Sequence, residues 1–344
     1  ERIVREPDEP NKDLWLGEDY SFCWLARQLG GVIYGYVTPT IGHILSIEQF
    51  INISDDKVWP DNSIVYYCGS TSEKWTGRNI EKGIGGSETA VIRLSEYWVS
   101  KGYSVTVFCN CEENESYKGV RYRQYREFNF SDLFNILIVW RTTVIADNYA
   151  LRARKRFLDL HDIVDRKSFT KNVLRNTDKI MVKSQYHSSL ISDIKDKVVI
   201  IPNGGAVSFS DEVEKDPNYL IYTSSYDRGL FYMLRWGWPK IKKAIPDAYL
   251  KVFYGWNGFD VIQGNNENAK KFKEIMLDLL KQDGVKECGR IPCDELMNER
   301  RKASIHYYMG DFYEIDCISV RESACAGAIP VVSKNIPVFD EKSY

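Results

Sequence analysis

The chain has 344 residues, which is more than one compact core usually holds, so we expect two domains. Hydrophobic residues make up 44% and charged residues 27%, a composition typical of globular proteins, and the formal net charge is -2. This balance excludes a global attraction to nucleic acid. No apolar run reaches the ~18 residues of a membrane-spanning helix. We therefore expect no nucleic-acid partner and no membrane span, while peripheral contact with a membrane stays open.

Cysteine usage indicates the compartment. The eight cysteines form no Cys-x-x-Cys pair, so the spacing predicts free, mostly buried thiols rather than a zinc site. The charged N-terminus lacks the apolar core of a signal peptide. Free thiols are typical of a reducing compartment, so a cytoplasmic location is predicted.

Residues 1–60 precede the regular pattern and are treated as an N-terminal appendage. Residues 1–20 are polar and contain proline, which predicts a tail. Residues 21–60 hold an apolar stretch that packs either as helices or as a short strand pair, and both alternatives stay open.

An α/β pattern begins at Ser63. The apolar run 63–69 predicts a buried parallel strand, 89–103 have helical spacing, and 104–109 predict the next strand. With the Gly-rich turn 82–88, they form a βαβ unit with a right-handed crossover. Further strands are predicted at 134–140, 178–184 and 197–204. Two basic runs, 121–126 and 152–156, are interpreted as solvated faces.

The pattern restarts after the acidic stretch 210–218, the best candidate for a hinge. Strands are predicted at 218–225, 248–256, 285–291, 304–309 and 329–333. Helices are predicted up to about Lys243 and over 268–284, 294–303 and 321–328. Two wound halves place a cleft between them, at the carboxyl ends of both sheets.

The segment 312–332 carries the strongest functional signal, because Glu314 and Glu322 stand eight positions apart around a helix start. Backbone N–H groups at such a start can hold phosphate or sugar oxygens. Glu314, at the loop mouth, can accept hydrogen bonds from sugar hydroxyls. Glu322, on the helix, can bind the cis-diol of a ribose.

The residues around this pair resemble the Glu-x7-Glu motif of the retaining glycosyltransferases of family 4. The matching positions are Glu314, Glu322, Ala324, Gly327, Pro330, Val331 and Val332. Three further segments are similar to family motifs: the Ile-Pro-Asn-Gly turn within 200–204, the Gly-Gly loop at 83–88 and the phosphate-clamp segment at 224–230. The resemblance covers about residues 62–340.

The resemblance implies an α/β protein of the GT-B fold, in which two Rossmann-like domains face a central cleft. Residues 61–209 would form the acceptor-side domain and 210–344 the nucleotide-sugar domain. The ribose would lie on Glu322, the transferred hexose on Glu314, and the diphosphate near Arg228. The implied donor-binding residues are Gly85, Gly86, Arg228, Glu314, Ile315, Asp316, Cys317, Ile318 and Glu322. The family needs no metal or other cofactor beyond a donor such as a UDP- or GDP-hexose, and this sequence has no Asp-x-Asp dyad.

Two departures from the family pattern stand out. The first clamp residue, usually Arg, is Ser224 or Ser225 here, and the clamp Lys is replaced by Arg228. Arg228 keeps the charge of the clamp Lys and adds a fork that fits phosphate. Because a serine stands at the first clamp position, one positive charge must come from elsewhere. The family also continues into a C-terminal helix that crosses back to the first domain. That element is either missing from 210–344 or different.

His161 is the third implied catalytic residue, with Glu314 and Arg228. A histidine at this cleft edge often touches the donor sugar in the family, and the alternative is a surface or capping histidine. Glu88 is interpreted as compensating the charge of a helix N-terminus. His43, His187 and His306 have no partner spacing and no assigned role.

The sequence thus predicts a hexosyltransferase that retains configuration and acts on a glycan, lipid or protein hydroxyl. The alternatives are a catalytically silent nucleotide-sugar or glycan-binding module and a GT-B epimerase or phosphorylase. A serine hydrolase is disfavoured because no Gly-x-Ser-x-Gly elbow occurs. The loop 83–88 is neither a Walker motif nor a dinucleotide fingerprint.

Overall fold

We describe a computed structural model, which covers residues 2–6, 9–16, 57–205, 212–310, 312–334 and 336–341. The chain divides into two compact units, Glu1–Asp55 and Asp56–Tyr344. In the first unit, strand β1 (Arg2–Glu6) pairs antiparallel with β2 (Glu9–Leu16). The expected polar tail at 1–20 is therefore wrong, since its β-branched and aromatic residues favour strands. The apolar stretch 21–56 lies outside the described residues.

Within the described part of the second unit, eight strands form the first sheet. They are β3 (Ser63–Tyr67), β4 (Ser104–Cys109), β5 (Glu115–Tyr117), β6 (Val120–Gln124), β7 (Leu133–Trp140), β8 (Arg152–Asp159), β9 (Lys179–Val182) and β10 (Val198–Ile200). The order across the sheet is β10-β9-β8-β7-β3-β4-β6-β5. Only β5 runs antiparallel to its neighbour, so this is a mainly parallel sheet.

The central strand β3 shows why the sheet is buried on both faces. Ile64 and Tyr66 pack into one apolar cluster, and Val65 and Tyr67 pack into another on the opposite face. Successive side chains of a strand point to opposite faces, so a continuous apolar run requires cover on both sides. Helix α1 (Gly86–Ser100) connects β3 to the parallel strand β4, which confirms the expected βαβ unit.

The two basic runs lie on strands that the sequence reading missed, since 121–126 overlaps β6 and 152–156 overlaps β8. Arg123, Arg154 and Lys155 are exposed, as the expected solvated faces require. Only the carboxyl end of β8 is fully buried, so the strand has a short apolar signal. Shorter helices complete this half: α2 (Val144–Asn148), α3 (Lys171–Arg175) and α4 (Gln185–Ser189).

The second sheet is fully parallel, with the order β13-β12-β11-β14-β15. Its strands are β11 (Asp216–Tyr222), β12 (Tyr249–Phe253), β13 (Val285–Gly289), β14 (Ala303–Tyr308) and β15 (Ile329–Val332). The helices around it are α5 (Leu230–Tyr232), α6 (Trp238–Ala244), α7 (Asn257–Gln263), α8 (Glu267–Leu279), α9 (Cys293–Lys302), α10 (Ile318–Cys325) and α11 (Pro337–Glu341). A π-helical turn, Met233–Gly237, joins α5 to α6.

The connection between the sheets passes through residues 206–211, which lie outside the described residues, as does the expected domain boundary at 209–210. Strand β11 begins at Asp216, inside the predicted hinge 210–218. At the other end, the Glu341 carboxylate accepts hydrogen bonds from the backbone N–H groups of Gln185 and Tyr186, at 2.7 and 2.8 Å. Helix α11 thus returns to the first sheet's side. Among the described helices, none is long and apolar enough to cross a bilayer.

Gly229, directly after Arg228, packs closely against the backbone of Met309 and Gly310, and this contact can be tested. It has a φ of +90°, and an added Cβ would overlap the Met309 carbonyl oxygen and lie 2.5 Å from the Gly310 Cα. Gly102 has a φ of +87° but nothing within 4 Å of its added Cβ. Gly102→Ala should cost about 1 to 2 kcal/mol for the left-handed backbone. Gly229→Ala should cost about 1 to 3 kcal/mol more, for overpacking.

Urea unfolding of both variants measures these costs. The gain from restricting the unfolded chain is the same in both and cancels in the comparison. Equal free energies of unfolding for the two variants would contradict the close approach at Gly229.

Candidate functional site

A cleft of about 910 Å³ lies between the two sheets and is lined from both sides. Its polar side chains follow the carboxyl ends of parallel strands. On the first sheet these are Glu73 after β3, Arg141 after β7 and His161 after β8. On the second they include Arg228 after β11 and Arg290 after β13. Ligands of open parallel sheets bind at this edge.

The structure brings every site residue chosen from the sequence to this one cleft. They are Gly85, Gly86, His161, Arg228, Glu314, Ile315, Asp316, Cys317, Ile318 and Glu322. The positions come from segments more than 200 residues apart, so only the fold could unite them.

Glu314 is more enclosed than a residue at a loop mouth, because it is only 5% exposed. Arg228 Nη1 donates to Glu314 Oε1 at 3.1 Å, and the Tyr308 hydroxyl donates to the same oxygen. The Arg228 guanidinium also stacks 3.9 Å from the Phe312 ring centre. Burial opposes the charge on Arg228, but the Glu314 carboxylate, together with Tyr308 and Cys317, outweighs burial and raises the pKa of Arg228.

Glu322 is held by an arginine that the sequence reading missed. Arg300 Nη1 lies 2.6 Å from Glu322 Oε2, and Arg300 Nη2 donates to Thr223 Oγ1 at 3.2 Å. Arg300 is 4% exposed and lies in the last turn of α9, which contains three basic residues. Basic residues are common at the C-terminal end of a helix, so the sequence does not single out Arg300. Burial and the charge of Arg300 lower the pKa of His306 to about 3, so this histidine is neutral near pH 7.

Two helix N-termini meet at the cleft. Helix α1 begins at Gly86 and helix α10 at Ile318, and a Cβ on Gly86 would lie 3.1 Å from Ile318 Cδ1. Neither first turn has a side-chain cap from its N-cap residue, Gly85 or Cys317. The positive ends of both helix dipoles therefore face the same part of the cleft. Burial raises the pKa of the Cys317 thiol to about 12.

Asp316 joins the two halves of the site. Its carboxylate accepts from the Asn203 backbone N–H at 2.7 Å and from Arg321 Nη2 at 2.6 Å. The Asn203 side chain also donates to the Asp316 carbonyl oxygen at 3.2 Å. The Ile-Pro-Asn-Gly turn is thus tied to the loop that carries Glu314.

Ser224 is one of the two serines expected at the position where the family pattern has an arginine. Its hydroxyl oxygen lies 2.6 Å from the Ser319 hydroxyl oxygen in α10. The pair is neutral, so it orients the start of α10 without adding positive charge.

His161 belongs to a buried polar triad. Its Nε2 lies 3.2 Å from Asp159 Oδ2, and Lys183 Nζ lies 2.5 Å from Asp159 Oδ1. These three side chains are between 4 and 6% exposed. Burial would raise the pKa of Asp159, but the hydrogen bond and charge of His161, together with Lys183, lower it. A buried, oriented histidine is the result, rather than a surface or capping one.

Arg141 is a second arginine that the sequence reading missed. It has a φ of +65°, and its Nε donates to Asp162 Oδ2. Its Nη1 lies 3.6 Å from Glu88 Oε1, in the first turn of α1. Glu88 therefore does more than compensate a helix dipole, and burial raises its pKa despite the charge of Arg141.

A bidentate ion pair crosses the cleft. Arg290 Nη1 and Nη2 lie 2.6 and 3.1 Å from the two oxygens of Glu73. Arg290 Nε also donates to the Tyr254 carbonyl oxygen at 3.3 Å. Since Glu73 follows β3 and Arg290 follows β13, this pair links the loops of both sheets.

The sheets, the cleft between their carboxyl ends and the facing helix N-termini define a GT-B fold with two Rossmann-like domains, which confirms the expected fold class. Sucrose-phosphate synthase from Thermosynechococcus elongatus is similar to this chain over 79% of its residues and 81% of that chain, with a TM-score of 0.57 and 13% identity. WaaG, a glycosyltransferase involved in lipopolysaccharide biosynthesis, matches with a TM-score of 0.53 and 12% identity, over 79% and 81% of the two chains.

The Anabaena protein HepE in complex with UDP-glucose is a third similar structure, with a TM-score of 0.52 and 12% identity over 82% and 83% of the two chains. No protein-family model matches the sequence, and the search of curated proteins gives no match. At these identities the likeness establishes the fold.

The triad at Asp159 gives a stability prediction. Asp159→Asn leaves the buried Lys183 cation without its carboxylate, so it should cost about 3 to 5 kcal/mol of unfolding free energy. The double variant Asp159→Asn/Lys183→Met removes that unmatched charge and should recover at least half of the loss. Urea unfolding near pH 7 measures both.

The same triad predicts a pH dependence. The folded-state pKa of Asp159 is lowered, so its stabilisation is present above about pH 4, the unfolded pKa, and is lost as pH falls through the folded value. The double variant should lose less stability than the wild type below about pH 4. Parallel acid-unfolding curves would refute this account of Asp159.

Proposed function

We propose that the protein is a glycosyltransferase that moves a hexose from a nucleotide-sugar donor to an acceptor hydroxyl. One observation carries the proposal: Glu314 and Glu322 face the same cleft between two Rossmann-like sheets, beside Arg228 and two helix N-termini. Carboxylates for sugar hydroxyls and positive groups for phosphate are the two requirements of a nucleotide-sugar site.

The nucleoside would be held by Glu322. Arg300 fixes Oε2 of its carboxylate, so Oε1 can accept a hydrogen bond from a ribose hydroxyl. Glu314 is fixed in the same way, with Oε1 engaged by Arg228 and Tyr308, and Oε2 is assigned to a hexose hydroxyl. Both carboxylates are thus oriented before the donor binds, which lowers the entropic cost of binding.

The diphosphate would lie between Arg228 and the backbone N–H groups of residues 315–318, with the Gly85–Gly86 loop opposite. Guanidinium groups and helix N-termini stabilise the charge that develops on a leaving diphosphate. Protein groups therefore supply this charge in our proposal, which includes no resident metal. His161, oriented by Asp159, is assigned to the hexose.

We infer retention of configuration and membership of family 4 from the Glu-x7-Glu pattern, with the acceptor hydroxyl attacking from the face that the diphosphate leaves. The acceptor is a glycan, lipid or protein hydroxyl. The HepE structure contains UDP-glucose, which places UDP-sugars first among the donors to screen. The cysteines of the described residues are free thiols, which supports a reducing, cytoplasmic setting.

Glu322→Gln tests the proposal. It keeps the shape of the side chain but weakens its hydrogen bond to ribose, so donor affinity should fall about ten- to hundred-fold. Glu295→Gln, at an exposed position of α9, is the matched control and should leave donor affinity unchanged. Thermal shift with UDP-, GDP- and ADP-sugars selects the donor, and calorimetry then gives the affinities.

Transfer is followed by NMR of the product, which also reports the anomeric configuration. Equal donor affinity for wild type and Glu322→Gln, with both folded, would remove the basis of the proposal. An inverted product would refute retention alone.

A catalytically silent nucleotide-sugar-binding module is the second candidate. The neutral Ser224–Ser319 pair favours it, because less positive charge is available for a leaving diphosphate. Such a module binds a donor but neither transfers nor slowly hydrolyses it. Release of free hexose from the bound donor, absent in Glu314→Gln, would reject this candidate.

A further inference from the structure

Four arginines line the cleft among the residues that the structure describes, and two of them are largely buried in ion pairs. Arg290 is held by both oxygens of Glu73, and Arg300 lies 2.6 Å from Glu322. The side chains of these two are 14% and 5% exposed. Those of Arg141 and Arg228 are 36% and 37% exposed, so they are the two cleft guanidinium groups within reach of a ligand.

The backbone directs Arg141 into the cleft. It follows the last residue of β7, and its N–H donates to the Asp159 carbonyl oxygen at 2.8 Å. Its φ of +65° is uncommon for a residue other than glycine. Strained backbone of this kind persists where the surroundings enforce it and concentrates at functional sites. The guanidinium lies 4.9 Å from the ring centre of the buried Trp140, which limits its movement.

Arg141 and Arg228 line the same cleft from different sheets, Arg141 after β7 and Arg228 after β11. Burial and the positive charge of Arg228 lower the pKa of Arg141, while Asp162 and Glu88 raise it by more. Two like charges on opposite sides of a gap repel each other in isolation and are favoured by an anion between them. The Gly85–Gly86 loop and the start of α10 border the same gap.

The Glu88 carboxylate already occupies a position between Arg141 and the start of α1. It lies 3.6 Å from Arg141 Nη1 and folds back over Gly85, at the start of α1. Glu88 thus shares the Arg141 cation with Asp162 and also lies at the N-terminus of α1. Burial raises the pKa of Glu88, so this carboxylate gives up its charge more readily than an exposed one.

We propose that Arg141 is the second diphosphate-binding cation of the site, in place of the clamp arginine that Ser224 or Ser225 replaces, and that Glu88 competes with the diphosphate for Arg141. This inference rests on the proposed nucleotide-sugar function. The diphosphate then bridges Arg141 of the first domain and Arg228 of the second. Donor binding therefore favours a closed cleft, and Glu88 either takes up a proton or turns away.

The test uses calorimetry with inorganic pyrophosphate, UDP, GDP, ADP and the matching nucleoside monophosphates. Arg141→Gln should weaken pyrophosphate and the preferred nucleoside diphosphate about ten- to hundred-fold. The monophosphate should lose less, because it lacks the second phosphate. Arg175→Gln, at an exposed position of α3, is the matched control and should bind as the wild type does.

Glu88→Gln supplies the opposite sign. Removing the competing carboxylate should tighten pyrophosphate binding several-fold. If Glu88 takes up a proton in the wild type, calorimetry in buffers of different ionisation enthalpy detects that uptake, and Glu88→Gln should abolish it. In the Arg141→Gln background the same change should have a smaller effect on affinity, since part of the effect of Glu88 acts through Arg141.

The outcomes separate this inference from the proposed function. If the wild type binds a nucleoside diphosphate and Arg141→Gln binds it equally well, Arg141 has no such role while the donor site stands. If diphosphate and monophosphate lose affinity equally, Arg141 acts only on the structure and the inference fails. If the wild type binds none of the probes, both proposals fall together.

Discussion

The pairing of cleft arginines with carboxylates is the interaction on which the site depends. A guanidinium or carboxylate that leaves water loses far more solvation than one neutral hydrogen bond returns, so buried charges persist only when matched. Here Arg228 is matched by Glu314, Arg300 by Glu322 and Arg290 by Glu73. In the proposed donor site, Glu314 and Glu322 also provide the oxygens for sugar hydroxyls. Recognition and electrostatic balance thus use one set of groups.

The cleft arginines differ in how accessible their ion pairs leave them to a ligand. Arg300 and Arg290 are engaged at 2.6 Å and little exposed, so they act as fixed supports, one below Glu322 and one across the cleft. Arg228 contacts Glu314 at 3.1 Å, whereas Arg141 donates its Nε to Asp162 and lies 3.6 Å from Glu88, and both guanidinium side chains remain more than a third exposed. A polyanion reaches partly exposed cations at lower cost than fully desolvated pairs. The structure thus separates arginines that brace the site from arginines that a ligand can reach.

Local signals in the sequence were sufficient for most of the sheet strands and for the loop of Glu314 and Glu322, because apolar runs and short motifs report on nearby residues. Strand β8 was missed since its first half is basic and exposed, although pairing with β7 and β9 places it inside the sheet. Arg300 and Arg141 carried no local signal, because each is defined by a partner that only the tertiary fold brings near. Buried ion pairs are long-range in sequence, and periodicity contains no information about them.

The position of Glu314 is determined by the geometry of the second sheet. Its two partners come from adjacent parallel strands, Tyr308 at the end of β14 and Arg228 in the loop after β11. The rings of Tyr222 and Tyr308 stack 6.0 Å apart across these strands and fix their relative height. The carboxylate is therefore held by the register of the sheet as well as by its own loop. In the proposed transfer, the Arg228 guanidinium that Glu314 holds is aligned for the leaving diphosphate. A cation aligned in this way needs no reorganisation as negative charge develops, and such preorganisation is usually the largest single contribution to electrostatic catalysis.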